Sequence, residues 1–204
     1  RGTYTHEDRS DRLAVRTIMM QVEHTPLAGL LLLTPRIFAD ARGAFLETYN
    51  HRQFAEATGI DTHFVQDNES RSAKGVLRGL HFQAAPHAQG KLVRVVHGAV
   101  RDVCVDLRRG SPTLGAHFKV VLDGASKRML WIPPGFAHGF VALEPDTVFV
   151  YKCTAYYEPT AERTVCWNDA DLAIDWGATN PLVSAKDAEG MSYKNYLTEV
   201  ATDG

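Results

Sequence analysis

The sequence predicts an all-β domain, a sandwich or closed barrel of many short strands. Three observations carry this. Apolar and polar residues alternate with a period of two in several separate stretches, as in extended chain whose successive side chains point to opposite faces. Turn-forming residues fall between those stretches. The length, 204 residues, also suits one unit, because sandwiches and barrels often run past about 200 residues as a single domain.

Taken in order, residues 1–25 read as a polar arm, charged and without periodicity as far as Arg16, either disordered or packed on a partner subunit. Residues 26–204 read as the single domain. Its first apolar run is Leu30-Leu31-Leu32-Leu33. Asn50 is placed to cap a helix, with Gln53 three residues on, as in a capping box, and Gly59 to end it. Val76 to Gln83, VLRGLHFQ, reads as an apolar strand. Val93 and Val95, then Val103, Val105 and Leu107, alternate with Arg94 and with Asp102, Cys104, Asp106 and Arg108, the pattern of half-buried strands. His97-Gly98 between them marks a tight connection, and Asp123-Gly124 a turn after Phe118 to Leu122. Pro133-Pro134-Gly135 and Glu158-Pro159-Thr160 are breaks on either side of a run in which Thr147, Phe149, Tyr151 and Cys153 alternate with Val148, Val150 and Lys152. A short helix is expected to begin near Ser184, with Asp187 in its first turn, where the helix dipole favours a carboxylate.

Composition removes several function classes. Lys plus Arg number 22 against 24 Asp plus Glu, a net charge of −2, so there is no basic excess to hold nucleic acid or an anionic membrane. No apolar run approaches the ~18 residues of a membrane span. Three cysteines, an odd number without a Cys-x-x-Cys pair, make neither a disulfide framework nor a zinc knuckle and are expected to be reduced thiols. With no secretory signal apparent in the first 26 residues, a cytoplasmic location is the expectation.

His81 is an ionisable ring in an otherwise apolar strand, either a hydrogen-bonded structural histidine or a functional one. Arg78, Lys91 and His138 add cations on neighbouring strand segments, which together suggest an anionic ligand. Strict alternation puts Arg78 and His81 on opposite faces, so a shared pocket requires a bend or bulge, for which Gly79 is the natural place. No metal is expected: there is no His-x-His pair, and His81 and His87 stand six apart with Pro86 between. Tyr151 is either a lining aromatic or a proton donor. Tyr156-Tyr157 are either packed aromatics or a platform on which a planar ring such as a nucleobase stacks. Gly-rich phosphate loops and the signatures of Ser or Cys nucleophiles are missing.

These residues resemble a known family. Gln66-Asp67-Asn68-Glu69-Ser70, VLRGLHFQ, Gly90 to Arg94, the run from Asp102 that ends in RRGSPT, Trp131-Ile132-Pro133, GFAHGF, Tyr151-Lys152, Tyr156-Tyr157, Trp167-Asn168-Asp169 and Ser184 to Asp187 occur in the order and at the spacings of the dTDP-4-dehydrorhamnose 3,5-epimerases, over residues 27–190. The resemblance implies a jelly-roll, cupin-type β-sandwich with a few short helices, a homodimer, a nucleotide-linked 4-keto-6-deoxy sugar as substrate, and neither metal nor other cofactor. It matches the family's base to His81, oriented by Asp187, its proton donor to Tyr151, and its substrate-binding positions to Arg42, Glu47, Gln66, Asp67, Asn68, Arg78, Lys91, His138, Glu162 and Lys186; Tyr156, of the Tyr156-Tyr157 pair, is a further candidate for substrate binding.

The residue types suit that chemistry. A C4 ketone acidifies the protons on C3 and C5; removing one leaves an enolate, and return of a proton on the other face inverts the carbon, so a base and an acid must flank the ring. Lys91 would stabilise the enolate oxygen, and Arg42 and Arg78 would fork onto the diphosphate. Glu69 departs from the family, many of whose members carry His there. The expectation is a double epimerase in rhamnose-type deoxysugar biosynthesis. The alternatives are a single-carbon epimerase or ketoisomerase on a related nucleotide sugar, and a non-catalytic sugar-nucleotide binding module. The substrate site is expected to be completed in trans by the segment Leu30 to Tyr49 of a partner subunit.

Overall fold

The structure, a computed structural model, describes residues 20–202. Most of the polar arm therefore lies outside the described residues, but its last part does not: Met20–His24 forms strand β1 on the edge of a sheet, so the arm as read from sequence ends too late. The chain continues through β2 (Leu31–Pro35), β3 (Ile37–Asp40), β4 (Gly43–Leu46), helix α1 (His51–Thr58), β5 (Gln66–Ser72), β6 (Val76–Gln83), β7 (Lys91–His97), β8 (Ala99–Asp106) and β9 (His117–Asp123). It closes with β10 (Met129–Ile132), β11 (Phe136–Ala142), β12 (Thr147–Cys153), β13 (Glu162–Thr164), β14 (Leu182–Val183), α2 (Ala185–Ala188) and α3 (Tyr193–Thr202).

Two sheets face each other, with strand orders β1-β2-β10-β7-β12-β5 and β13-β6-β11-β8-β9. Neighbours along both are antiparallel, and β14 adds to β6 in parallel. From β5 to β13 successive strands pass from one sheet to the other, except for the β8–β9 hairpin, and this makes a jelly roll. The His97-Gly98 connection is one such passage: a single glycine at φ +77° turns the chain from β7 in the first sheet to β8 in the second. Between the sheets lies a core of Val93, Val95, Leu130, Ile132 and Phe149 from one side and Val100, Cys104, Leu122, Phe136 and Phe140 from the other.

The outer faces are covered too, and this corrects the half-buried reading of β8. All its residues except Arg101 are buried. Val103 and Val105 point outward under Leu172, Trp176 and Tyr196 of the C-terminal segment, while Asp102 and Asp106 are fully enclosed. A polar residue in an alternating strand marks a face, and that face is dry when its charge is satisfied internally. Asp106 illustrates it: its carboxylate accepts from Arg108, Ser111 and Thr113. On the first sheet, α1 lays Phe54 against Trp131, ring centroids 5.5 Å apart. The helix begins where expected, with Asn50 Oδ1 accepting from the Gln53 N–H, and ends at Gly59 in the left-handed region.

Candidate active site

At one end of the barrel a cleft of about 220 Å³ is lined by Gln66, Asn68, His81, Gln83, Gln89, Lys91, Tyr151, Cys153, Tyr157 and Glu162, with Phe82 at its edge. The side chains come from both sheets: His81 and Gln83 from β6, Lys91 from β7, Tyr151 and Cys153 from β12, Gln66 and Asn68 from β5.

Gly79 gives β6 its bulge. His138 stands opposite His81, and Phe140 opposite Arg78, so three steps on β6 match two on β11. The extra residue moves Arg78 onto the inward face with His81. Gly79, at φ +116°, is required there: an added Cβ would lie 2.6 Å from Gly139 Cα and from the His138 carbonyl oxygen. Arg78 stays exposed, donates to Ser72 Oγ at 3.1 Å, and its charge reaches Tyr151.

Behind His81 sits Asp187, placed by α2, whose cap Ser184 accepts from the Asp187 N–H. Asp187 Oδ1 is 2.6 Å from His81 Nε2, and Oδ2 accepts from the Gly79 N–H at 3.2 Å. Burial alone would raise the Asp187 carboxyl, but the His81 hydrogen bond and charge outweigh it and hold the group below its ordinary range. An ionised carboxylate only accepts, so His81 Nε2 is the donor in this pair and Nδ1 is the ring nitrogen left for other partners.

Tyr151 faces His81 from the other sheet. Burial pushes its phenol above the usual value, keeping it protonated. The Lys91 ammonium lies 5.8 Å from the centroid of the Tyr151 ring, and burial lowers its pKa while Cys153, Cys104, Glu162 and Asp102 oppose the shift. Glu162 accepts from Lys186 Nζ at 2.5 Å and from Tyr157 Oη at 2.7 Å; burial raises its carboxyl, and these two donors more than compensate.

Thus His81, Asp187, Lys91, Tyr151, Gln66, Asn68, Glu162 and Lys186 converge, with Arg78 and His138 on the same inward face. Others do not. Asp67 lies on the outer face of β5, paired with Lys152 at 2.9 Å, because alternation separates it from Gln66 and Asn68. Glu69 shares that outer face and is exposed. Tyr156 is 70% exposed and outside the cleft; of this pair, Tyr157 is the one in its wall. Arg42 stands at the turn of the β3–β4 hairpin, 90% exposed and paired with Asp40. Glu47 accepts from Asn50 at 3.3 Å, and its other oxygen is buried without a hydrogen-bond partner.

Gln83, Gln89 and Cys153 were missed, and of the Tyr156-Tyr157 pair that the sequence singles out it is Tyr157 that lines the cleft. Gln83 and Cys153 lay within reach of the period-two rule, two residues from His81 and Tyr151 on the same strands, whereas Gln89 lies in the loop before β7.

Among the described residues one cluster has metal-ligand chemistry: Asp102, Cys104 and His138, their donor atoms within 4.8 Å of one another. His138 Nε2 is 2.8 Å from Asp102, and the Cys104 thiol also points to that carboxylate. Burial pushes the thiol well above its usual pKa, with the Asp102 charge adding to the shift.

Comparison with known proteins gives the site a context. The family model for dTDP-4-dehydrorhamnose 3,5-epimerase matches residues 24–195. A dTDP-4-dehydrorhamnose 3,5-epimerase of Pseudomonas aeruginosa is 51% identical over 175 residues, 85% of this chain and 96% of that one. The structure of a dTDP-6-deoxy-D-glucose-3,5-epimerase of Legionella pneumophila in complex with dTDP-4-keto-L-rhamnose is similar at TM-score 0.82 and 47% identity, covering 85% of this chain and 92% of that one. A 3'-monoepimerase of Streptomyces bikiniensis in complex with dTDP-quinovose is similar at TM-score 0.78 and 30% identity, covering 88% and 96%.

Proposed function

The chain belongs to the dTDP-4-dehydrorhamnose 3,5-epimerase family, and from that premise we propose that it inverts C3 and C5 of a dTDP-linked 4-keto-6-deoxy sugar in rhamnose-type deoxysugar biosynthesis. It is an isomerase. The observation that supports these residue roles best is the placement of a carboxylate-held imidazole on one sheet and a protonated phenol on the facing sheet.

His81 Nδ1 removes the proton from C3 or C5, and Asp187 stabilises the imidazolium. The negative charge moves to the C4 oxygen, where Lys91 supplies a fixed positive charge in a dry setting. Tyr151 returns a proton from the opposite face. Tyr157, half exposed at the mouth, is the platform for the base, and Arg78 is the cation for the diphosphate. We also place the protein in the cytoplasm, a reading supported by its free thiols.

The working unit in this reading is a homodimer with sites completed in trans. The cleft's 220 Å³ falls short of the ~300–1,000 Å³ usual for ligand pockets. The β3–β4 hairpin pairs with no other strand among the described residues and exposes Phe38 and Phe45, the two ends of one cross-strand pair. It carries Arg42, and Glu47 with its unpartnered oxygen follows directly. Mixing inactive Arg42→Ala and His81→Asn chains restores activity toward a quarter to a half of wild type, roughly, if subunits share sites; no recovery after verified subunit exchange means each chain builds its own.

The main test is NMR of dTDP-4-keto-6-deoxyglucose in deuterium oxide with the enzyme. Exchange at both C3 and C5 is expected. Exchange at one carbon would assign the chain to the single-carbon epimerases, and none would remove the enzymatic reading.

A further inference from the structure

Between β12 and β13 the chain crosses the mouth of the barrel, from one sheet to the other, without regular secondary structure at Tyr156, Tyr157 and Glu158. An irregular segment that presents a ligand-binding ring must have its backbone groups held by something. Here three glutamine side chains hold four consecutive residues. Gln89 Nε2 donates to the Ala155 carbonyl at 2.7 Å. Gln83 Nε2 donates to the Tyr156 carbonyl at 3.2 Å. Gln66 Oε1 accepts from the Tyr157 N–H at 2.9 Å, and Gln83 Oε1 from the Glu158 N–H at 2.7 Å.

Gln83 is the centre of this arrangement. It is 6% exposed, and its amide spans the two backbone groups that flank Tyr157. Its Nε2 also donates to the His87 carbonyl at 2.7 Å, tying in the loop that leads to Gln89 and Lys91. The orientation of the amide is dictated by its partners, two carbonyls on one side and an N–H on the other. A rigid strand two residues beyond His81 thereby sets where the Tyr157 ring stands.

We propose that Gln83 is a positioning residue for nucleotide recognition: it acts through the Ala155–Glu158 backbone to hold Tyr157, and so controls affinity for the dTDP portion of the substrate rather than the proton transfers. This rests on the reading of Tyr157 as the platform for the base. Pre-ordering a binding segment raises affinity by removing the ordering cost at the moment of binding.

The test is a double-mutant cycle with dTDP as probe, its Kd measured by calorimetry, alongside KM and kcat for epimerisation. Gln83→Met keeps an unbranched side chain and removes the amide. It is expected to weaken dTDP binding and raise KM by about tenfold, with kcat within about twofold, since each lost hydrogen bond typically changes an equilibrium several-fold. In a Tyr157→Ala background the same substitution should change Kd by less than about twofold, because coupled residues do not act additively. An equal effect in both backgrounds, or a fall in kcat with KM unchanged, overturns the assignment. If Tyr157→Ala alone leaves dTDP binding intact, the platform reading fails instead. If Gln83→Met does not fold, the cycle is read on Gln83→Glu, which keeps the acceptor for the Glu158 N–H; failure of both to fold overturns the positioning role in favour of a purely structural one.

Discussion

Asp187→Asn should abolish the base while leaving the protein folded, and the reason lies in which atom faces which. Asp187 Oδ2 accepts from the Gly79 N–H, and Oδ1 meets His81 Nε2. An asparagine in the same place must keep its oxygen toward Gly79, since an NH2 there would oppose another donor. Its NH2 is then forced toward His81 Nε2, which must become the acceptor, so the ring proton moves to Nδ1 and the basic lone pair facing the cleft is lost. General-base catalysis contributes about 10²- to 10⁴-fold, or about 2.7 to 5.4 kcal/mol of barrier. The cost in stability is smaller: one charge-assisted hydrogen bond at a side chain 5% exposed becomes a neutral one, about 1 to 2 kcal/mol, within the margin of an ordinary domain. The assay is deuterium incorporation at C3 and C5, with thermal unfolding as the control for fold. Exchange within about threefold of wild type in a folded variant would refute the argument, because it would mean that His81 does not need its carboxylate to present Nδ1.

Three further outcomes are expected. Tyr151→Phe should separate the two half-reactions, exchange of substrate protons persisting while inverted product falls about 10²-fold or more; equal, small losses in both would leave Tyr151 a lining residue. Lys91→Met should abolish turnover yet raise stability at pH 7 by about 1 to 3 kcal/mol. Burial lowers the Lys91 pKa, so the folded state disfavours its charge below the unfolded value near ~10.4; the gap to wild type should close as pH rises toward it, and a gap constant across pH would contradict this. Asp106→Asn should cost about 2 to 4 kcal/mol at neutral pH. Burial would raise that carboxyl, but its bonds from Arg108, Ser111 and Thr113 hold it far below the unfolded value near ~3.9. Its contribution is present above that value and lost as pH falls through the folded one, so denaturant titrations should show wild type and variant converging in acid.

Much of this protein was legible in its sequence. The alternation in β7, β8 and β12, the cap at Asn50, the stop at Gly59 and the Ser184–Asp187 turn follow from local rules of spacing and capping, which need no knowledge of distant residues. Even the bulge at Gly79 followed from a conflict visible on the page, two cations on opposite faces of one strand. Local periodicity also separates Asp67 from Gln66 and Asn68, and it points from His81 and Tyr151 to Gln83 and Cys153.

Tertiary structure decided what depends on the partner surface. Alternation in β8 announced two faces, but only the packing of Trp176 and Tyr196 made the outer one dry, with the acidic residues left on the enclosed face. Tyr156 and Tyr157 are neighbours of equal chemistry, and only the path of the chain between the sheets decides that Tyr157 lines the cleft and Tyr156 does not. The inversion itself needs a base and an acid on two sides of a sugar ring. Sequence named His81 and Tyr151, 70 residues apart, without relating them. Their opposition comes from β6 and β12 lying in facing sheets, a relation set by long-range strand pairing and the shared core between the sheets, which no local pattern encodes.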